Sequence, residues 1–320
     1  MPELSHQHAR LAAAIVVDLL DRTQLEITGR DRATLLQGLV TNDVKKLLPG
    51  QGCESFWTNA QGKILGHAYF FCRNDSLVLE TVAGQAAGII AHLDRYLFRE
   101  DVQFVDRTTD WDELLVAGVR AEELLADLFR VTPPTNLQEH VETEGSAGIV
   151  SIRRVDFVQP PAFFVACDRA LAPQLQQQLV DRGAIAGSGE LVEVLRIEAG
   201  TPLFGRDITD DNFPQELDRN SRAISFTKGC YLGQETVARI DALGHVNRTL
   251  VRVAFAGHDV PPVGTEITAG GKVVGRVTSA CYSPRFQRPL ALAYVRRGFN
   301  ASGTKLTSAV GDAEVLQAGD

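Results

Sequence analysis

The chain has no stretch that reads as a membrane span. Its longest apolar run near the start, residues 11–17, is too short to cross a bilayer and lacks the basic flank of a signal peptide. It has no positive excess: 32 Lys and Arg stand against 40 Asp and Glu, a net charge of −8. That argues against nucleic acid or an anionic membrane as the main partner. It has no C-x-x-C, and its five cysteines, Cys53, Cys72, Cys167, Cys230 and Cys281, are odd in number. Both facts argue against a disulfide framework or a structural zinc site, so a reducing, cytoplasmic setting is expected. There is no H-E-x-x-H, no glycine-rich dinucleotide fingerprint and no phosphate-loop motif. His6 and His8 lie at a chain end, where order is usually low, and no metal site is expected. Gly187-Ser188-Gly189 superficially resembles a phosphate cradle, but a turn with a helix N-cap explains it better.

What the chain does have is an ordinary soluble composition, 44% hydrophobic and 22% charged, over 320 residues. That length exceeds one usual core and implies two or three domains. Strand patterns at residues 24–28, 53–58, 63–72, 77–81 and 102–105 alternate with helical ones. Asp31 is placed to cap a helix carrying Leu35, Leu36 and Leu39. Ile89, Leu93 and Leu97 share one helical face. Strands at 114–118, 148–153 and 162–166, with helices at 121–130, 170–182 and 190–199, repeat the theme. The fold class is therefore α+β with mostly antiparallel sheets in two similar units. Residues 200–220 are polar, rich in Asp and Pro, and irregular, which usually signals function. After residue 247 only short strands remain, at 250–255, 265–268, 272–277 and 290–295, so an all-β barrel or sandwich is expected. The domains are drawn at 1–247 and 248–320.

The chemistry concentrates at Lys228-Gly229-Cys230-Tyr231-Leu232-Gly233-Gln234-Glu235. Two glycines in five residues fit a loop better than a strand or helix. Cys230 is the candidate reactive group, and an ammonium such as Lys228 nearby would lower its thiol pKa. The plain alternative is a small buried hydrophobe, which suits the other four cysteines. A second dense patch runs from Arg196 to Asp207. Glu198 sits near a helix C-terminus, where a carboxylate is disfavoured. It is either held there to accept hydrogen bonds from a ligand or simply paired to Arg196.

These residues resemble a known family. Lys228 to Glu235 is similar to the K-G-C-Y-x-G-Q-E signature of YgfZ-type folate-binding proteins, relatives of the glycine-cleavage T-protein (aminomethyltransferase). Residues 36–44 resemble its L-Q-x-L-x-T-N-D-V, and residues 59–65 its N-x-Q-G-K-I-L. Residues 196–207 resemble R-x-E-x-G-x-P-x-x-G-x-D, and Pro214-Gln215-Glu216 matches P-x-E. Val277-Thr278-Ser279 with Tyr282-Ser283-Pro284 matches V-T-S-x-x-Y-S-P. The resemblance covers residues 20–297 in the family's order. It implies interleaved α+β subdomains around a central folate channel, plus a C-terminal β-barrel. It also implies tetrahydrofolate, or a one-carbon derivative, as cofactor. Glu198 then falls where the family grips the pterin, with Arg196, Glu216 and Gln234 as further binding positions. Cys230 and Lys228 stand beside the channel as the working groups. The implied role is service to assembly or repair of iron–sulfur enzymes, with their client or assembly proteins as partners. The alternative is a folate-dependent aminomethyl or one-carbon transferase or demethylase.

One departure bears on that choice. In the T-protein the strand after G-x-I-L begins with an aspartate central to transfer. Here Ile64-Leu65 is followed by Gly66-His67, with no carboxylate. His67 handles protons in principle but does not replace an acid in that role.

Overall fold

The computed structural model describes residues 8, 10–145, 148–159 and 161–317. The first half builds, in order, β1 (Ile15–Asp18), β2 (Thr23–Thr28), α1 (Arg32–Gln37), β3 (Gly52–Thr58), β4 (Ile64–Cys72) and β5 (Ser76–Thr81). Then come α2 (Ala86–Leu93), β6 (Gln103–Asp106), β7 (Trp111–Ala117), α3 (Ala121–Phe129), β8 (His140–Gly145), β9 (Gly148–Val155) and β10 (Ala162–Asp168). The chain continues with α4 (Ala172–Asp181), β11 (Ile185–Ala186), α5 (Gly189–Ala199), α6 (Asn220–Ala223) and α7 (Gln234–Leu243). It ends in β12 (Arg248–Phe255), β13 (Glu266–Ala269), β14 (Lys272–Ser283), β15 (Arg288–Arg296), β16 (Lys305–Ser308) and β17 (Gly311–Val315).

The strands form two open sheets and a barrel. One sheet has the order β3-β4-β5-β2-β6, the other β11-β1-β7-β10-β9-β8, and the barrel closes as β12-β15-β14-β13-β16-β17. Only β1 with β11 pairs in parallel among these strand pairs. The α+β class with a C-terminal β-barrel is thus borne out. The two open sheets pack face to face. Tyr69, Phe71 and Val78 of one meet Leu115, Ala117, Ala162 and Phe164 of the other. Their outer faces are covered by helices: α1 and α2 on one side, α3 and α4 on the other. Strands covered on both faces read as near-continuous apolar runs, as in Ala162–Asp168.

Helix α5 is the hub. Residues 191, 192 and 194–198 on it are all buried. It reaches the inter-sheet core through Leu191 and Leu195, and the barrel through Val194 and Ile197. The Ser188 hydroxyl accepts from the amide of Leu191 at 3.2 Å, and Gly200 ends the helix at φ +77°. Ser188 is therefore an N-cap, as its sequence context suggests.

Several elements differ from the sequence expectation. The apolar run at 11–17 contributes β1, in the middle of a sheet, where both faces are covered. Asp31 makes no cap bond; its Oδ2 accepts from the amide of Asp101 at 2.9 Å and ties α1 to the loop before β6. Leu97 lies beyond α2, in a turn that follows it. The loop at 228–235 runs straight into α7, which has one buried residue, Val237, and so no apolar stripe to announce it. Strands β8, β16 and β17 carry too much polar sequence to have been read as strands. Among the described residues no helix is long and apolar enough to cross a membrane.

Candidate functional site

Three segments distant in sequence meet at the cysteine loop: residues 36–44, the β3–β4 turn at 59–65, and residues 228–235. Lys228 Nζ donates to the carbonyls of Gln37 (2.8 Å), Val40 (2.5 Å) and Asn42 (2.9 Å). The Leu232 amide donates to Gly38 O at 3.0 Å, and Thr58 Oγ1 donates to Leu232 O at 2.5 Å. Gly233 has φ +83°, and a β-carbon there would lie 2.4 Å from Asn59 O and 2.9 Å from Gly62 Cα. Only glycine meets both demands, a left-handed backbone and a bare close approach. Gln234 Oε1 accepts from the Tyr231 amide at 3.3 Å and closes the loop on itself.

This frame holds Cys230 outward. It is exposed, Cys53 is half-buried, and Cys72, Cys167 and Cys281 are buried. Burial pushes the Cys53 and Cys167 thiols up to about 12. Cys230 is therefore the one cysteine whose thiol a large partner reaches. The expectation that Lys228 serves this thiol does not match its contacts. Its ammonium caps carbonyls at the C-terminal end of α1, a favoured place for a cation. Burial pulls its pKa down to about 8, opposed by Asp43 and then Cys53. Lys228 anchors the loop on which Cys230 sits.

The second patch lies at the hub. Glu198 is 2% exposed. Its Oε1 accepts from the Ser283 hydroxyl, and its Oε2 is 2.8 Å from His8 Nε2. Its carbonyl accepts from Arg252 Nη1 at 2.7 Å. The simple alternative, a solvated helix end paired to Arg196, is therefore set aside. Arg196 is fully buried and turned to Asp207 (2.9 Å), Thr201 O (3.1 Å), Ser279 Oγ (2.7 Å) and Glu193. Asp207 also accepts from Ser279 and Thr278 on β14. Arg196 thus locks α5 to the barrel. Glu216 does similar work, accepting from Arg248 Nε (3.2 Å) and Asn212 Nδ2 (2.9 Å). Arg196, Glu216 and the Gln234 amide oxygen are all bonded within the protein, and so are both carboxylate oxygens of Glu198. His6 lies outside the described residues.

Position 66 has no room for a side chain. A β-carbon at Gly66 would lie 1.8 Å from Trp57 Cζ2. The next residue, His67, is buried and stacks on Phe56 with ring centroids 4.9 Å apart. Its Nε2 is 2.6 Å from Glu54 Oε1. Arg219 grips the same carboxylate with Nε and with Nη2 at 2.6 Å. Burial by itself would raise the Glu54 pKa; Arg219, then His67, hold it far below the usual carboxylate range. An ionised Glu54 makes His67 Nε2 a donor and fixes its tautomer. His67 is thereby tied into an ion network with Glu54 and Arg219.

A pocket of about 350 Å³ adjoins the hub, with Gly200, Asp218, Arg219, Arg222 and Arg252 in its wall. Arg222 O accepts from Asn42 Nδ2 at 2.7 Å, and Asn42 O accepts from Lys228, so the pocket wall and the cysteine loop share one hydrogen-bonded frame. Sequence reasoning missed Glu54, Trp57, Arg219 and Arg252, and gave His8 no role. Arg219 and Arg252 owe their places to partners far along the chain, and Glu54 and Trp57 to neighbours across the β3–β4 hairpin; none carries a local signal.

Two family models match the chain. The GCVT N-terminal domain covers residues 3–228, and the glycine cleavage T-protein C-terminal barrel domain covers residues 248–318. The aminomethyltransferase of a Nostoc species is 28% identical over 303 residues, covering 91% of this chain and 78% of the relative. The tRNA-modifying protein YgfZ of Yersinia enterocolitica is 30% identical over 255 residues, covering 79% of this chain and 74% of the relative. The glycine cleavage system aminomethyltransferase T from Bartonella henselae shares the fold, with a TM-score of 0.87 at 21% identity over 98% of this chain and 88% of that one. Two matched models cover nearly the whole length, and YgfZ and aminomethyltransferases stand side by side among the relatives. The chain belongs to the glycine cleavage T-protein family, as a YgfZ-type member.

Proposed function

We propose that this protein binds a reduced folate at the hub and serves the assembly or repair of iron–sulfur enzymes through the exposed thiol of Cys230. The observation that carries the reading is the cysteine loop itself. Three distant segments are spent on holding one accessible thiol, while the place of a transferase acid is filled by Trp57. The hub residues fit the cofactor's chemistry. Glu198 would take the paired N–H donors of a pterin edge, with that edge replacing His8 on Oε2. Arg222 and Arg252 line the adjoining pocket and suit the carboxylates of a glutamate tail. Bound folate would supply one-carbon chemistry or act as a sensed ligand; the chain's own residues bind and orient it. We take the setting to be a reducing one, in keeping with five free cysteines.

Two measurements test the reading. Cys230→Ala is expected to keep the fold and to abolish support of iron–sulfur enzyme activity in cells; full support by this variant refutes the thiol role. Glu198→Ala is expected to weaken tetrahydrofolate binding in calorimetry, and equal affinity refutes the pterin placement. The competing reading, a one-carbon transferase, requires turnover of a methylene donor by the purified protein. The Gly66–Trp57 contact favours none.

A further inference from the structure

A second pocket lies at the open end of the sandwich between the two sheets, and it shares no residue with the hub or the cysteine loop. It encloses about 450 Å³, within the usual size range of small-molecule sites. Val78 belongs to one sheet; Trp111, Ile149, Arg153 and Ala166 belong to the other. At its rim, Glu26 pairs with Arg73 at 3.2 Å and with Arg107 at 2.9 Å, and Glu142 also pairs with Arg73 at 2.5 Å. Those two guanidiniums stand 5.9 and 5.7 Å from the Trp111 ring centroid. The rim arginines are thus already neutralised.

Arg153 is different. It is 2% exposed and lies 4.7 Å over the Phe71 ring, yet its hydrogen bonds are all long: Ser151 Oγ at 3.3 Å, Gln24 Oε1 at 3.2 Å and Glu113 Oε2 at 3.4 Å. Among the described residues its Nη2 has no hydrogen-bond partner. Two other buried arginines set the standard. Arg196 meets Asp207 at 2.9 Å, and Arg219 meets Glu54 at 2.6 Å. Charge-assisted bonds normally have such lengths. Glu113 compensates Arg153 poorly. Burial, then the charge of Glu80, push its carboxyl up to about 8 against the pull of Arg153 and Arg22. Its Oε1 is itself buried and without a partner. Glu80 and Glu142 also attract Arg153, but from beyond ion-pair distance, and an arginine does not shed its proton.

We propose that this pocket binds a small organic monocarboxylate with an apolar body. The carboxylate would sit on Arg153 Nη2 and the body against Val78, Ile149 and Ala166. One under-compensated cation calls for one negative charge. Glu26, Glu142 and Asp168 in the same wall oppose a nucleotide or any other polyanion.

Benzoate is the probe, and benzamide is its neutral counterpart of like shape. Calorimetric titration of the full chain, with Trp111 emission followed in parallel, is expected to show saturable benzoate binding about tenfold or more tighter than benzamide. Arg153→Met is expected to weaken benzoate by a similar factor. Without Arg153 the Glu113 carboxyl loses an attraction that lowers its pKa and stays protonated, so the variant leaves no new unpaired charge behind. Should it fail to fold, Ala166→Leu fills the pocket from its wall, keeps Arg153 and is expected to cause the same loss. Absent benzoate binding, equal binding of benzoate and benzamide, or unchanged benzoate binding in either folded variant would overturn the proposal.

Discussion

Substituting Gly66 tests whether the lost acid is a mere sequence change or a space that has been filled. A β-carbon there would lie 1.8 Å from Trp57 Cζ2, 2.2 Å from Cε2 and 2.3 Å from Cη2. Trp57 is 5% exposed and packs in the cluster of Leu39, Val40, Ala68 and Phe70. The obstacle is a rigid ring in a packed core, not the mobile end of a long side chain. Gly66→Ala must therefore shift the indole. Overpacking of this kind costs about 1–3 kcal/mol, and expelling an indole altogether costs about 3–5 kcal/mol. At about 2–4 °C per kcal/mol, the lower range means a melting temperature reduced by roughly 2–12 °C. Gly66→Asp adds a buried carboxyl and is expected to fall further. Combining Gly66→Asp with Trp57→Ala opens room, so the pair should lose less than the sum of the two single losses. Thermal unfolding gives the stability, and the emission of the two tryptophans reports the indole environment. Unchanged melting and unchanged emission in Gly66→Asp would refute the packing argument. Turnover of a methylene donor by that variant would refute the view that Trp57, and not just the absent acid, closes the transferase route.

Lys228→Met leaves three carbonyls without their donor. It is expected to cost about 1–3 kcal/mol in thermal unfolding and to raise local hydrogen exchange in residues 228–235. Glu54→Gln leaves the buried Arg219 with Asp156, at 3.8 Å, as its remaining ionic partner, at a cost of about 3–5 kcal/mol near neutral pH. Because the Glu54 pKa is lowered by folding, its contribution is present above about pH 4.3 and lost as pH falls. The melting difference between wild type and Glu54→Gln should therefore shrink on acidification, and a constant difference would count against the ion network. Glu113 works in the opposite sense. Its carboxyl is raised to about 8, so stability should decline as pH rises from about 4.3 to about 8. Glu113→Gln should flatten that decline, as read by denaturant midpoints across the range.

Much of this molecule is legible in its sequence. The α+β alternation, the barrel after residue 247 and the loop around Cys230 follow from local pattern. So does the N-cap at Ser188, because a hydroxyl and a nearby amide need no distant partner. Helix α7 escaped because a single buried residue makes no stripe, and β1 escaped because a doubly covered strand is short and uniformly apolar.

The amino-acid sequence by itself determined that position 66 has no carboxylate, that Cys230 lies between glycines, and that Lys228 precedes it by two positions. Tertiary structure alone decided what those residues do. Lys228 bonds to a carbonyl 188 positions away, and Arg219 grips a carboxylate 165 positions away. No local periodicity encodes a partner at such range. Trp57 and Gly66 oppose each other across a hairpin, and only their pairing shows that an indole leaves no room for a side chain at position 66. The under-compensated Arg153 is visible only when its bond lengths stand beside those of Arg196 and Arg219. Composition and spacing name the chemical groups, whereas burial and distance decide which are reserved for the fold and which remain free to meet a ligand or a partner.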